Sequence, residues 1–177
     1  MKNWKSTLLI GLKLLLVAAV VAGVVSFVNA KTKSIAEENI NREKTNAIAK
    51  IFDNEPIETS EQDGIYTVTL DGEIIGYCLE TTSSGFGGDM TLMVGYNADE
   101  TICGVKVISH SETPGLGARV CGDEERALSR YAGKSGNLVW GQDIDGISGA
   151  TISSKAVLEG VNRATEKLHA YLGGEQG

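Results

Sequence analysis

The stretch IYTVTLDGEIIGYCLET, residues 65–81, determines the fold that the sequence predicts. Its first part, 65–70, alternates with a period of two, which is typical of a half-buried β-strand. Asp71-Gly72 follows and is a strong signal for a two-residue hairpin turn, because both residue types tolerate a positive φ. A second strand is therefore expected over 73–81, antiparallel to the first.

The strand pattern continues toward the C-terminus. A glycine-bearing loop at 83–89 leads to a third strand over 90–96, and a turn at 97–100 leads to a fourth over 102–109. These connections are too short for crossovers between parallel strands. The sequence therefore predicts a meander of about four antiparallel strands.

Helical periodicity returns after the meander. An irregular stretch at 110–119 precedes a short predicted helix around 123–132 and a short strand near 138–140. The last helix is expected from about Ile152 to Leu172, with one apolar face packed on the sheet. The residues of that face are Val157, Val161, Ala164, Leu168 and Leu172. The chain is therefore predicted to be α+β, with packed helices on an antiparallel sheet.

The N-terminal segment 8–28 is apolar except for Lys13 and Ser26. As a helix it would span about 30 Å, the thickness of a bilayer's hydrocarbon core. Lys13 lies near its start, where the ammonium can reach the headgroups. This pattern predicts a transmembrane helix. A cleaved signal peptide is the alternative, with Val28-Asn29-Ala30 as a small-x-small cleavage site.

We expect an uncleaved, single-pass anchor in the cytoplasmic membrane, with the N-terminus in the cytoplasm and the folded domain outside. The predicted division is a start and anchor at 1–30, a juxtamembrane linker helix at 31–56 and a domain at 57–177. Within the linker, 34–52 has an amphipathic pattern that Asn54-Glu55-Pro56 ends. One face of this helix carries Ile40, Lys44, Ala47, Ile48, Ile51 and Phe52.

Composition excludes several functions. A net charge of −7 on 177 residues argues against nucleic acid as a partner. Cys78, Cys103 and Cys121 have neither C-x-x-C spacing nor a nearby histidine cluster, so no metal or iron–sulfur site is expected. The only histidines are His110 and His169, which leaves little material for imidazole catalysis.

Three glycine-bearing loops, 83–89, 110–119 and 143–151, can let the backbone approach a ligand closely. The third ends on Thr151, immediately before the last helix. Thr151 is therefore expected at or near a helix N-terminus, where unpaired N–H groups and the helix dipole favour a phosphate. Simple capping of the helix by its hydroxyl is the alternative.

A phosphate at this position would be met by the N–H groups of 152–154, by Ser153 or Ser154, and by Lys155 one turn into the helix. The segment 146–150 also approaches the nucleophile elbow G-x-S-x-G. In that alternative Ser148 would be the nucleophile and His169 its base. However, Ala150 replaces the last glycine, and His169 lies some five turns along the helix, too far for a hydrogen bond. A serine hydrolase is therefore disfavoured.

The segment DGISGAT at 145–151 resembles the D-x-x-[S/T]-G-A-T signature of proteins that carry FMN bonded through its phosphate to the threonine hydroxyl. SHSETPGLG at 109–117 resembles the E-T-P-G-L-G stretch of the same family, and FGG at 86–88 is similar to its G-[Y/F]-G-G segment. Order and spacing agree over nearly the whole chain. The family is shared by G subunits of Rnf-type ion-translocating ferredoxin:NAD oxidoreductases and the usually longer C subunits of sodium-translocating NADH:quinone reductases. The short chain is more similar to the former.

The resemblance implies that Thr151 carries covalent FMN, attached by a flavin transferase that uses FAD and magnesium. The residues that it implies in the signature are Asp145, Ser148, Gly149 and Ala150. Those that it implies around the isoalloxazine ring are Glu112, Thr113, Gly115, Leu116 and Gly117. Phe86, Gly87 and Gly88 belong to the less specific third segment.

The resemblance further implies an electron-transfer subunit of a membrane-bound, ion-translocating oxidoreductase, with the other subunits as partners. No catalytic residue, metal ligand or complete active site is expected in this chain alone. A free-standing exported flavoprotein and a C-type subunit of the NADH:quinone reductase are the alternatives. A non-redox binding module is a third alternative, and it would be colourless.

Overall fold

The computed structural model describes residues 4–53, 57–122 and 127–174. The chain divides into two compact units between Arg42 and Glu43. Its elements, in order, are α1 (Trp4–Ile51), β1 (Glu58–Gln62), β2 (Ile65–Leu70), β3 (Glu73–Ser84), β4 (Asp89–Asn97), β5 (Ile102–Ser109), α2 (Ala118–Cys121), a 3₁₀ turn (Ser129–Tyr131) and α3 (Thr151–Gly174).

Helix α1 contains the 22-residue apolar segment Leu8–Asn29, and in the part of the chain that the structure describes it is the one helix long and apolar enough to cross a membrane. The helix ends at Ile51 and includes most of the segment 34–52, for which the amphipathic pattern predicts a helix. The expected helix stop at 54–56 lies outside the described residues. The division at residues 30 and 56 stays a prediction.

The sheet is an antiparallel meander in the order β1-β2-β3-β4-β5. The hairpin at Asp71-Gly72 is confirmed, with φ angles of 52° and 84°. The sheet has one strand more than predicted, namely β1. The sequence did not predict this strand because it is polar and exposed along its whole length. The loop between β3 and β4 is also shorter than predicted, since Ser83, Ser84 and Asp89 are paired in the strands.

Each face of the sheet has its own apolar cluster. The face toward α3 carries Leu92, Val94 and Tyr96 of β4, which are packed with the helix residues Val157, Val161, Ala164 and Leu168. The opposite face carries Val68, Cys78 and Met93, which are packed with Ala47, Ile48 and Ile51 at the end of α1. Because successive side chains of a strand point to opposite faces, one face of the sheet packs against α3 and the other against the end of α1.

Three glycines form a seat for the end of α1 on this second face: Gly76, Gly95 and Gly104. A Cβ at Gly76 would lie 2.9 Å from the ring of Phe52, and one at Gly95 would lie 2.3 Å from Cγ2 of Ile51. A Cβ at Gly104 would lie 3.3 Å from Ile51. The glycine seat lets the last turn of α1 approach the strand backbones closely.

The region between the sheet and α3 differs from the prediction. The strand near 138–140 is wrong, because the structure has a single parallel bridge there, between Trp140 and Ile144. Part of the predicted helix at 123–132 lies outside the described residues. Its described part contains the 3₁₀ turn. Short apolar runs near glycines do not specify a ladder partner, which accounts for the missing strand.

Candidate functional site

A cavity of about 340 Å³ lies where the three glycine-bearing loops meet. Each loop contributes to its wall, together with the first turn of α3. The lining residues are Phe86, Glu112, Thr113, Leu116, Gly117, Gly149, Ala150, Thr151, Ile152 and Ser153. The fold therefore brings together segments that are up to 67 positions apart between Phe86 and Ser153 (153 − 86).

Thr151 is the first residue of α3, and its side chain is exposed at the cavity. The carbonyl of Ala150 accepts the hydrogen bond from the Ser154 N–H at 2.9 Å, so Ala150 occupies the capping position. Within the described residues, the Thr151 hydroxyl has no hydrogen bond. It is therefore not the helix cap, and its oxygen is available for chemistry.

Ser154 builds the turn that presents Thr151. Its buried hydroxyl accepts a hydrogen bond from the Ile147 N–H at 3.1 Å and donates to the Ala150 carbonyl at 2.9 Å. Gly149 has a φ of +79°, a conformation that favours glycine. Because both bonds of Ser154 are used inside the turn, this hydroxyl is not free to meet a phosphate, whereas Ser153 lines the cavity.

Glu112 joins two of the loops. Its side chain is 6% exposed, and Oε1 accepts hydrogen bonds from the N–H groups of Phe86 at 2.7 Å and Gly87 at 3.3 Å. Oε2 is buried and has no partner among the described residues. The carboxylate thus fixes the β3–β4 loop against the 110–119 loop.

Glycines leave the space that this carboxylate occupies. A Cβ at Gly85 would lie 2.0 Å from Oε1, and one at Gly117 would lie 1.9 Å from Oε2. A Cβ at Gly87 would lie 2.2 Å from the Ser111 carbonyl oxygen. The glycines of both motifs are therefore required for the close approach of the two loops, independently of any ligand.

Seven of the eleven predicted site residues line the cavity: Glu112, Thr113, Leu116, Gly117, Gly149, Ala150 and Thr151. Phe86 of the weaker segment joins them. The sequence did not predict that Ile152 lines the cavity. Its position immediately after Thr151 in the first helical turn is the signal that could have identified it.

The other four predicted residues, Asp145, Ser148, Gly115 and Lys155, lie outside the cavity wall. Asp145 and Ser148 are exposed in the turn before α3, and the Asp145 carbonyl accepts a hydrogen bond from Arg130. Gly115 has a φ of +75° in its loop. The ammonium of Lys155 lies 5.2 Å from the centre of the Trp140 ring, a cation–π contact.

Among the described residues, neither the cysteines nor the histidines line the cavity. All three cysteines are free thiols, and burial, with a smaller effect from the Glu112 charge, raises the pKa of Cys121 to about 11. His110 accepts a hydrogen bond from the Glu112 N–H at 3.2 Å, and His169 lies 3.0 Å from Glu100. Neither histidine has a hydrogen bond to Ser148 in the described ranges, and those residues contain no cluster of metal-ligating side chains.

Comparison with known proteins identifies a domain family and similar proteins. Residues 85–166 match the FMN-binding domain family. The G subunit of the Na(+)-translocating ferredoxin:NAD(+) oxidoreductase complex of Acetobacterium woodii is 30% identical, over 93% of this chain and 92% of that protein. The G subunit of the ion-translocating oxidoreductase complex of Methanosarcina acetivorans is 31% identical, over 88% and 89%.

Among solved structures, the C subunit of the Na(+)-translocating NADH-quinone reductase of Parabacteroides distasonis is 29% identical. It covers 56% of this chain and 57% of its own, with a TM-score of 0.47. The overlap is partial.

Proposed function

Because the chain belongs to the G-subunit family of ion-translocating ferredoxin:NAD oxidoreductase complexes, we propose that it relays electrons through one FMN linked by a phosphoester bond to Thr151. The observation that carries this proposal is the Thr151 hydroxyl: exposed, without a hydrogen bond in the described residues, and located where α3 begins and the cavity opens.

The residues of the cavity fit the two halves of FMN. For the phosphate, the first N–H groups of α3 lack intrahelical acceptors, and the helix dipole favours negative charge there. For the ring, exposed apolar surface is present on Phe86, Leu116 and Ile152. The flavin supplies the redox chemistry, and the protein supplies its position and electrostatic environment.

The other predicted residues are proposed to shape the loops around the flavin, to contact the transferase or to add charge. Gly149 and Ala150 shape the turn, and Thr113, Gly115 and Gly117 shape the loop beside the ring. Asp145 and Ser148 are exposed in the turn, where a flavin transferase can contact them. Lys155 lies one turn into α3 and adds positive charge to this end of the helix.

Attachment is proposed to need a transferase and FAD, with magnesium. The Thr151 oxygen bonds to the FMN phosphorus of FAD, the pyrophosphate bond breaks, AMP leaves, and the hydroxyl proton is released. No electrons are exchanged in this step. The exposure of Thr151 in the folded domain is compatible with access by a separate enzyme that holds the FAD.

Helix α1 is proposed to be an uncleaved anchor in the cytoplasmic membrane, with the N-terminus inside and the flavin domain outside. Its apolar segment Leu8–Asn29 has the length required. Outside the cytoplasm a covalent link prevents loss of the cofactor. The other subunits of a membrane redox complex are the proposed electron donor and acceptor. Co-purification with polytopic membrane proteins would support this assembly, and purification as a lone flavoprotein would support the free-standing relay instead.

Intact-mass analysis tests the attachment. We expect the full chain, co-expressed with a flavin transferase, to gain the mass of FMN less one water. Thr151→Ala should abolish the gain and Thr151→Ser should retain it, because serine keeps the hydroxyl. Thr59→Ala, at an exposed threonine of β1, is the matched control. An unchanged wild-type mass, beside a control substrate that the same transferase modifies, would refute the proposal.

A further inference from the structure

The second carboxylate oxygen of Glu112 is a polar group that the fold leaves unsatisfied. Oε1 accepts two backbone N–H groups, whereas Oε2 is buried without a partner in the described part of the chain. A buried acceptor without a donor carries a desolvation penalty, which is larger for a charged group. Such an atom beside a cavity indicates a ligand that supplies the missing donor.

Oε2 lies at the edge of the cavity, buried by the groups around it. Glu112 is one of the lining residues, and Gly117 next to Oε2 has no side chain that would cover it. The nearby Cys121 thiol makes its contact with the Gly117 carbonyl, at 3.8 Å. Phe86, Leu116 and Ile152, the large apolar residues of the wall, have no polar side-chain atom to offer, and the Ser153 hydroxyl, which also lies near Gly117, makes no hydrogen bond to Oε2 in the described residues.

We propose that Oε2 of Glu112 accepts a hydrogen bond from the N3–H group of the isoalloxazine ring, an inference that rests on the flavin being attached at Thr151. N3–H is the one N–H donor of the oxidised ring, and a carboxylate is an acceptor-only group that matches it. The orphaned oxygen and the ring donor then satisfy each other.

Glu112 is thus a positioning residue with two functions in one side chain. Oε1 holds the loop that carries Phe86, and Oε2 orients the ring, so the ring and the loop keep a fixed relation to each other. The negative charge also opposes the addition of electrons to the neighbouring flavin, since like charges repel strongly where water is excluded. The flavin therefore has a lower midpoint potential than it would have without this charge.

Glu112→Gln separates the two functions. The amide oxygen of glutamine can still accept from the N–H groups of Phe86 and Gly87, so the loop contact is retained. The amide NH₂ group then occupies the position of Oε2, where it presents a donor to a donor and removes the charge. Glu159→Gln is the matched control, because Glu159 is an exposed glutamate of α3, paired with Arg163.

The experiment uses the full chain in detergent after co-expression with the transferase. Intact mass reports the loading, and a spectroscopic redox titration reports the midpoint potential. We expect Glu112→Gln to load and to favour the reduced flavin by tenfold or more, a rise of about 30 mV for a two-electron couple. Glu159→Gln should titrate like the wild type. Equal potentials in the two loaded variants would overturn the inference, whereas an unloaded wild type contradicts the proposed function instead.

If Glu112→Gln fails to fold or to load, a measurement on the wild-type protein still tests the hydrogen bond to N3–H. In uniformly ¹⁵N-labelled, loaded protein, the N3 proton should resonate downfield and exchange with solvent more slowly than in free FMN. Exchange as fast as in free FMN would show that N3–H has no acceptor and would overturn the inference.

Discussion

Replacing Gly117 with alanine tests how tightly Glu112 is held. The backbone at Gly117 has φ −60° and ψ −34°, which alanine adopts without strain. The added methyl group, however, would lie 1.9 Å from Oε2 of Glu112 and 2.6 Å from Oγ of Ser153. The expected effect therefore comes from the contact with Glu112 and not from the backbone.

The Glu112 carboxylate cannot move away from the added methyl group without weakening its hydrogen bonds. A hydrogen bond to a charged group is worth about 1.5–3 kcal/mol, and Oε1 is held by the N–H groups of Phe86 and Gly87. Overpacking a filled site adds about 1–3 kcal/mol. We expect the free energy of unfolding to fall by about 2.5–6 kcal/mol, which is a decrease in Tm of roughly 10–24 °C at about 4 °C per kcal/mol.

The assay is urea and thermal unfolding of the full chain in detergent, followed by intrinsic fluorescence. Gly122→Ala is the matched control in the same region, because a Cβ there has no atom of the described residues within 4 Å and the φ of −105° is accessible to alanine. It should be neutral or stabilising by up to about 1 kcal/mol. If the two variants differ by less than about 1 kcal/mol, the argument that Glu112 is closely confined is refuted.

Two further predictions concern stability. Thr151→Ala should change the free energy of unfolding by less than about 0.5 kcal/mol, since the Thr151 hydroxyl makes no hydrogen bond in the described residues. Ser154→Ala should lower it by about 1–3 kcal/mol, because the Ile147 N–H loses its acceptor. Urea unfolding measures both, and a loss of about 1 kcal/mol in Thr151→Ala would indicate a capping role. Burial raises the pKa of Cys103 and of Cys121 to about 11 from an ordinary value of 9.0. The two thiols therefore ionise more easily in the unfolded chain. The stability that the protonated, buried thiols contribute is complete below pH 9 and is lost as the pH rises through about 11. Urea midpoints at pH 8, 9, 10 and 11 should therefore fall less steeply in a Cys103→Ala/Cys121→Ala variant than in the wild type, and parallel declines would contradict this account.

The parts of the fold that were predicted correctly depend on neighbours in sequence. The hairpin at Asp71-Gly72 follows from two strands and the turn between them. The start of α3, one residue before the predicted Ile152, follows from a glycine-bearing turn before a periodic run. Strand β1 was missed because its polar residues carry no apolar pattern. It is held by its backbone pairing with β2 and has both faces exposed.

The parts of the site that the sequence could not predict depend on distant neighbours. Glu112 stands out in its motif, but its bonds to Phe86 and Gly87 join positions 26 and 25 residues apart. Local spacing suggested Lys155 as a phosphate contact, yet the fold places its ammonium over Trp140. Ser154 was grouped with Ser153, and the hydrogen bonds inside the turn distinguish them.

The glycine seat has a practical consequence for any soluble version of this domain. The last turn of α1 covers Val68, Cys78 and Met93 on the sheet, and Gly76, Gly95 and Gly104 supply no side chains that could take its place. A truncated chain that begins at residue 57 would expose this apolar face to water and would be prone to aggregation. The shortest autonomous FMN-binding domain is therefore expected to begin near Glu43 and to retain the end of α1 as part of its own core.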